Sequence, residues 1–271
     1  MKKSFILFLA LCSGLIHHQA QATAALGEII PELLPIAYSG GEKLRYAVSY
    51  TGGLRLGTLT LEVKALPGPD RFQLRAFVST DEGALKHFYP IHDLHVTEVQ
   101  GPARLPCRYE VWQEEGKDYR AHRLTVYNQQ TGLVTVRKNN DQPRQFAVGA
   151  PVHNEFSAFF ASRLMPQQVG GDFLVPTFAD SKKNQVVVRV LAEERLKTVL
   201  GEVATRKVTP ILKFHGLYDK RGDTILWYSA DECRLPVKVN SKILIGSLTA
   251  RLIAYENPHC PRYSGKEEHD D

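Results

Sequence analysis

The chain has 271 residues, 43% of them hydrophobic, with 34 Lys and Arg against 29 Asp and Glu for a formal charge of +5. The basic residues are scattered rather than gathered into a stripe, so no nucleic acid partner is expected. None of the four cysteines falls in a Cys-x-x-Cys pair, which argues against a structural zinc site, and no cofactor is expected.

Residues 1–24 read as a secretory signal peptide: Lys2 and Lys3, an apolar run from Phe5 to Leu11, and Ala-x-Ala sites at Ala20-Gln-Ala22 and Ala22-Thr-Ala24. The run is shorter than the roughly 20 apolar residues that span a bilayer. Cleavage is expected near Ala22 or Ala24, with export to the periplasm and at most peripheral membrane contact. Cys12 follows Leu11, where a lipoprotein signal has a small residue, so a lipid anchor there is not the expected outcome. Loss of Lys2 and Lys3 leaves 32 basic against 29 acidic residues, a charge of +3.

Residues 25–40 read as an N-terminal extension, and 41–256 as one β-rich domain. Stretches 44–50, 57–63, 71–80, 107–113, 122–128 and 132–138 alternate apolar and polar residues and are separated by Gly, Pro or Asn-Asp turn signals. A helical turn is expected at 81–88. The segment 153–166, "HNEFSAFFASRLMP", departs from the alternation. It places Phe156, Phe159, Phe160 and Leu164 at helical spacing, with Asn154 as cap and Pro166 as stop. Alternation resumes through 184–194, 202–212, 223–229, 236–242 and 247–256. The tail 257–271 is polar, and 264–271 is expected to be disordered. The predicted fold is mainly β: a single antiparallel, strongly curved sheet or open barrel with one short helix packed on or in it.

Arg104-Leu105-Pro106 recurs as Arg234-Leu235-Pro236, followed by Arg123-Leu124 to Tyr127 and by Arg251-Leu252 to Tyr255. The separations from Arg to Arg are 19 and 17, an even difference, which predicts two similar hairpins with matching faces. Each proline is expected at the start of its strand, where a missing N–H is tolerated. In the second hairpin Cys233 and Cys260 lie 13 and 14 residues either side of Gly246, so antiparallel pairing would bring them together as a disulfide. Cys107 is then a small hydrophobe on a strand face.

The order of "GEKLRYAVSYTGGLRLGTLTLEV", "NEFSAFFASRLMP", "VLGEVATRKVTPIL" and "ILWYSADECRLPVKVNSKILIGSLTARLIAYE" resembles the exported bacterial family called domain of unknown function 3108. The resemblance implies a periplasmic β-rich domain in a Gram-negative cell, similar in fold to outer-membrane lipoprotein carriers. It brings no catalytic residues.

Sets that could carry chemistry are thin. His92 and His95 face opposite ways on a strand, which argues against a metal pair. His153 and Ser157 are four apart on the predicted helix, without a nucleophile-elbow motif. Asp81, Glu82 and Asp93 are candidate acids for glycan cleavage with no rule to pair them. The leading expectation is a non-catalytic protein binding a lipid or glycan between sheet and helix. Phe156, Phe159 and Phe160 would line the cavity, or pack as core, and Arg163 would meet an anionic group, or pair with an internal carboxylate. The alternatives are an envelope polysaccharide-acting enzyme and a structural module that pairs with an envelope protein through a sheet edge.

Overall fold

A computed structural model describes residues 24–149, 151–212, 224–260, 262–263 and 266–267. The segment expected to be a signal peptide, except Ala24, and most of the tail expected to be disordered therefore lie outside the described residues. The strands, in chain order, are β1 (Ala25–Leu26), β2 (Gly41–Tyr50), β3 (Arg55–Ala65), β4 (Arg71–Ser79), β5 (His92–Gln100), β6 (Leu105–Glu115), β7 (Tyr119–Asn128), β8 (Leu133–Lys138), β9 (Arg144–Ala147), β10 (Asp172–Ala179), β11 (Lys182–Thr198), β12 (Gly201–Leu212), β13 (Thr224–Ser229), β14 (Pro236–Lys242), β15 (Ser247–Glu256) and β16 (Lys266–Glu267). A one-turn helix α1 (Leu34–Ala37) precedes β2, and α2 (Glu155–Ser162) lies between β9 and β10. The helical turn expected at 81–88 is instead a run of turns.

All strands belong to one sheet in the order β1-β10-β11-β12-β13-β14-β15-β2-β3-β4-β5-β6-β7-β8-β9, with β16 on β15. The expectation of a wholly antiparallel sheet is corrected at one edge, where β1 runs parallel to β10. β1 and β10 are far apart in sequence, so no hairpin connection forces them antiparallel. The sheet is not closed by a ladder between β9 and β10. Its two ends are tied by a parallel bridge of His153 with Thr177 and by Lys183 Nζ donating to Val148 O at 2.6 Å.

The strand β10 contains Pro176, which in sequence argues against a central strand. Pro176 is tolerated because β10 is flanked on one side only by the short β1 and the His153 bridge. Residues outside 41–256 share the core: Ala37, Tyr38, Cys260 and Tyr263 pack with Leu44, Leu61, Leu235 and Tyr255.

The helix α2 starts as its sequence dictates. The Asn154 side chain accepts the Ser157 N–H at 2.8 Å while Ser157 Oγ accepts the Asn154 N–H at 2.9 Å, a reciprocal cap that satisfies two helix-end donors. His153 Nδ1 lies 3.1 Å from Ser157 Oγ, so these two residues do meet. Both are buried, and the serine hydroxyl is engaged by the cap.

The other end of α2 is held by charge. Arg163, fully buried, makes a two-pronged pair with Glu42 of β2, at 2.7 and 2.9 Å. It also donates to the carbonyls of Cys233 and Arg234, each at 2.9 Å. Tyr255 of β15 reaches the same carboxylate at 3.4 Å. The guanidinium thus joins helix, β2 and the turn between β13 and β14. The expectation that Arg163 meets a ligand anion is corrected: its carboxylate is Glu42, and no part of it reaches solvent.

That same turn carries the disulfide expected between Cys233 and Cys260, whose Cα atoms lie 6.2 Å apart. Cys107 is a half-buried free thiol on β6.

The repeated Arg-Leu-Pro phrase is half a repeat. Arg104 and Arg234 both adopt left-handed backbone, with φ of 49° and 48°, unusual for a residue bearing a Cβ. Each donates its N–H back across a turn, to Gly101 O and Asp231 O. Pro236 opens β14 and Pro106 is the second residue of β6, and each is followed by an extra residue, Val237 or Cys107, that shifts the pairing with the preceding strand. The downstream halves do not correspond. Arg123 sits opposite Val111, seven residues after Arg104, whereas Arg251 sits opposite Lys238, four after Arg234. An offset of three inverts the faces, so the expected match of faces is overturned. Arg123 lies over the Tyr109 ring at 5.5 Å, while Arg251 points to the opposite face of the sheet from Ala250, which lines a cavity.

Removing one partner of a buried pair leaves an uncompensated charge. Glu42→Ala is expected to lower unfolding free energy by about 3–5 kcal/mol, and a loss under about 1 kcal/mol in urea denaturation would show the pair to be dispensable.

Burial holds His153 neutral, with its pKa pushed down to about 4 from 6.5. Its contribution to stability is complete above pH 6.5 and is lost as pH falls through about 4. The span corresponds to about 3 kcal/mol. Urea midpoints followed between these pH values should fall less steeply in His153→Gln than in the parent.

Candidate functional site

The helix α2 enters the concave side of the sheet and presents two stripes of equal helical spacing. Ser157, Phe160, Ala161 and Leu164 form one, and all four are packed out of reach of solvent. Glu155, Ala158, Phe159 and Ser162 form the other, and they line a cavity of about 490 Å³. The spacing of each stripe is i, i+3, i+4, i+7. Phe156 lies at the border and also lines the cavity, where its ring packs 4.8 Å from that of His95. Of the aromatics proposed from sequence, Phe156 and Phe159 face the cavity. Phe160 does not: it is 1% exposed and belongs to the core cluster with Trp227, Leu235 and Tyr255.

The cavity exists because the second stripe is small. Ala158 and Ser162 leave space beside the helix that Phe159 only partly fills, and the facing strands supply side chains that do not reach across. Leu59 and Leu61 of β3, Val175 of β10, Val186 and Val188 of β11, Leu226 of β13, Val239 of β14 and Ala250 of β15 form the wall. Apart from Val175, these wall residues lay inside ordinary alternating stretches and carried no signal of their own. The small residues of α2 at positions 158 and 162 were the only legible trace.

Polar atoms on the wall are mostly satisfied within the protein. Ser162 Oγ donates to Phe159 O at 2.9 Å, Thr177 Oγ1 to Val175 O at 3.1 Å, and Asn184 Nδ2 to Lys182 O at 3.2 Å. The hydroxyls of Thr224 and Ser241 meet at 2.7 Å. A guest would therefore meet an effectively apolar surface over most of the cavity.

One end differs. Glu155, Asp180 and Asn184 lie at or near the turn between β10 and β11, and Thr224 lines the cavity from the start of β13. Asp180 and Ser181 of that turn have φ of 50° and 60°. The Glu155 carboxyl reaches solvent, yet the surrounding protein raises its pKa by burial, and Asp180 adds to the rise while Arg123 opposes it. A small recess of about 30 Å³ adjoins this end, sharing Glu155, Ala179 and Asp180 and adding Tyr109 and Arg123. Arg123 Nε has no hydrogen-bond partner there.

The other candidate groups lie elsewhere. His92 Nε2 meets Asp81 at 2.9 Å, whereas His95 Nδ1 meets the Tyr109 hydroxyl at 2.8 Å, so the two histidines are separately engaged. Burial pushes His95 down to about 4. Glu82 is shared by Arg45 and Arg55. Asp93 accepts the Glu114 N–H at 3.1 Å. None of Asp81, Glu82 and Asp93 lines the cavity. Among the described residues no group of three or more His, Cys, Asp or Glu could hold a metal ion.

The fold is similar to that of a β-barrel-like protein of domain of unknown function DUF1849 from Brucella abortus, with a TM-score of 0.53 and 9% identity over 80% of this chain and 97% of that one. A protein with a YmcC-like fold from Bacteroides fragilis aligns at a TM-score of 0.35 and 11% identity, over 80% of this chain and 95% of its own. No curated protein matches the sequence. The family model described as "Protein of unknown function (DUF3108)" matches residues 45–253, from the middle of β2 to the end of β15, and so includes the helix and every strand of the cavity wall. This chain belongs to the DUF3108 family.

Proposed function

We propose that this protein is an exported, periplasmic binding protein that holds the apolar part of an amphipathic lipid in the cavity between α2 and the sheet. One observation carries the reading: a cavity of about 490 Å³ whose walls are mainly aliphatic and aromatic and whose two carboxylates, Glu155 and Asp180, lie close together. Its size falls in the roughly 300–1,000 Å³ range of small-molecule sites. An acyl chain would lie against Phe159, Val186, Val188 and Leu226, and its head group would meet Glu155, Asp180 and Thr224. A raised Glu155 pKa suits a carboxyl that donates or accepts a hydrogen bond from a neutral or cationic head group.

The same walls favour lipid over glycan. A sugar buried there would lose hydration from each hydroxyl without finding partners, a cost of about 1–3 kcal/mol per group. They likewise favour carriage over polysaccharide cleavage, since the His95 and Tyr109 pair lies outside the cavity lining.

The test is a fluorescence titration of the mature protein with N-phenyl-1-naphthylamine, followed by displacement with palmitate. Saturable, displaceable binding is expected. Val239→Trp, which fills the cavity from the wall, should weaken it at least about tenfold, the loss expected when one aliphatic-sized portion of the guest is displaced, with the disulfide and far-UV dichroism unchanged. Absence of probe binding to the parent protein would end the proposal.

A further inference from the structure

The turn between β14 and β15 is built from the wrong residues for a turn. Its sequence, Ile243-Leu244-Ile245-Gly246, uses three aliphatics where Gly, Asn, Asp and Pro are usual, and only Gly246, with φ of 78°, serves the backbone. Leu244 is 95% exposed and Ile245 73%. The adjacent turn between β2 and β3 adds Leu54, 55% exposed. The two tips are locked side by side: Thr51 N–H donates to Ser247 O at 3.1 Å, Ser247 N–H to Thr51 Oγ1 at 2.8 Å, and Tyr50 O–H to Ile245 O at 3.1 Å. The aliphatic side chains are thus held outward by a fixed backbone, where the fold gains nothing from them and water is unfavourable.

Charge identifies the occupant. From Pro236 to Ile253 the hairpin carries Lys238, Lys242 and Arg251 and no Asp or Glu. Lys238 and Arg251 stand directly opposite each other, a like-charge pairing that weakens a sheet. Among the described residues neither is in a salt bridge, although Lys238 lies 4.3 Å above the Trp227 ring and is attracted by Glu194, the carboxylate paired with Lys207. With Arg55 and Lys197 they line an outer groove of about 700 Å³ behind the tip. Arg55 is paired with Glu82, but Lys242 and Arg251 are in no salt bridge among the described residues, and aliphatic tips ahead of such a basic hairpin suit an anionic lipid surface, with the tips among acyl chains and the cations at head groups. A protein partner fits less well, because a specific interface buries roughly 800 Å² on each side, more than four side chains on two narrow tips present.

We infer that the paired tips, Leu54 with Ile243, Leu244 and Ile245, dock this protein on an anionic bilayer surface. The antiparallel ladder from β10 to β3 puts the tips at the same end of the sheet as the turn between β10 and β11, where Glu155 and Asp180 line the cavity. Docking would therefore bring the polar end of the cavity toward the bilayer. The inference goes beyond the carrier reading and does not need it, since vesicle binding and probe binding in solution fail separately.

The test is co-sedimentation of the mature protein with phosphatidylcholine vesicles, with and without phosphatidylglycerol. Binding is expected to require the anionic lipid and to weaken with salt. Leu244→Ser combined with Ile245→Ser should reduce it at least about tenfold, as two aliphatic side chains are withdrawn from the bilayer. Lys238→Gln with Arg251→Gln should remove the preference for phosphatidylglycerol. Leu244→Trp, at a site too exposed to affect folding, should show a blue shift of tryptophan emission on adding vesicles. Failure of the parent to bind at low salt, unchanged binding by the serine variant, or no Leu244→Trp shift would each overturn the inference. So would a dimer in sedimentation equilibrium that the serine variant abolishes while vesicle binding is absent.

Discussion

The buried pair of Arg163 and Glu42 is the constraint on which the rest of the arrangement depends. Taking both charges out of water is costly, and the cost is offset only because each guanidinium nitrogen finds a partner. The carboxylate takes two of the guanidinium's donors, and the carbonyls of Cys233 and Arg234 take others. Two of these partners come from a turn between β13 and β14, and one comes from β2, about 190 residues away in sequence. The Cys233–Cys260 bond ties the same turn to the chain beyond β15. One end of α2 is therefore fixed in both position and rotation.

Fixing the rotation of α2 is what makes a cavity. The stripe of Ser157, Phe160, Ala161 and Leu164 is committed to the core, so the stripe of Glu155, Ala158, Phe159 and Ser162 must face the opposite wall. Had that second stripe carried large residues throughout, the space would be filled and the sheet would enclose an ordinary core. The reciprocal cap of Asn154 and Ser157 secures the other end, and His153 at that cap also bridges to β10 across the open seam. A helix held at both ends can stand beside an unfilled volume without collapsing into it.

The Arg-Leu-Pro phrase shows how a short local device can be reused without repeating a unit. In both copies an arginine in left-handed backbone closes a turn, and a proline enters the next strand just before an extra residue, Cys107 or Val237, that bulges that strand. Their side chains then serve different ends. Arg104 lies over the rings of Tyr38 and Phe72 and pairs with Asp70, whereas Arg234 donates to Gln167 and offers its carbonyl to Arg163.

Much of the architecture was legible in the sequence because it is local. Period-two alternation located most strands, helical spacing and Asn154 located α2, and symmetric placement about Gly246 found the disulfide. What remained hidden was non-local. Pro176 concealed β10, since only the sheet order reveals an edge that tolerates a missing N–H. The three-residue slip between the two hairpins depends on turn length and bulges rather than on residue identity. Above all, Phe156, Phe159, Phe160 and Arg163 share one helix in sequence, but only tertiary packing decided that two line a cavity, one joins the core and one neutralises Glu42. Alternation and capping are written in neighbouring residues, whereas the division of a helix between wall and core depends on which distant groups reach it.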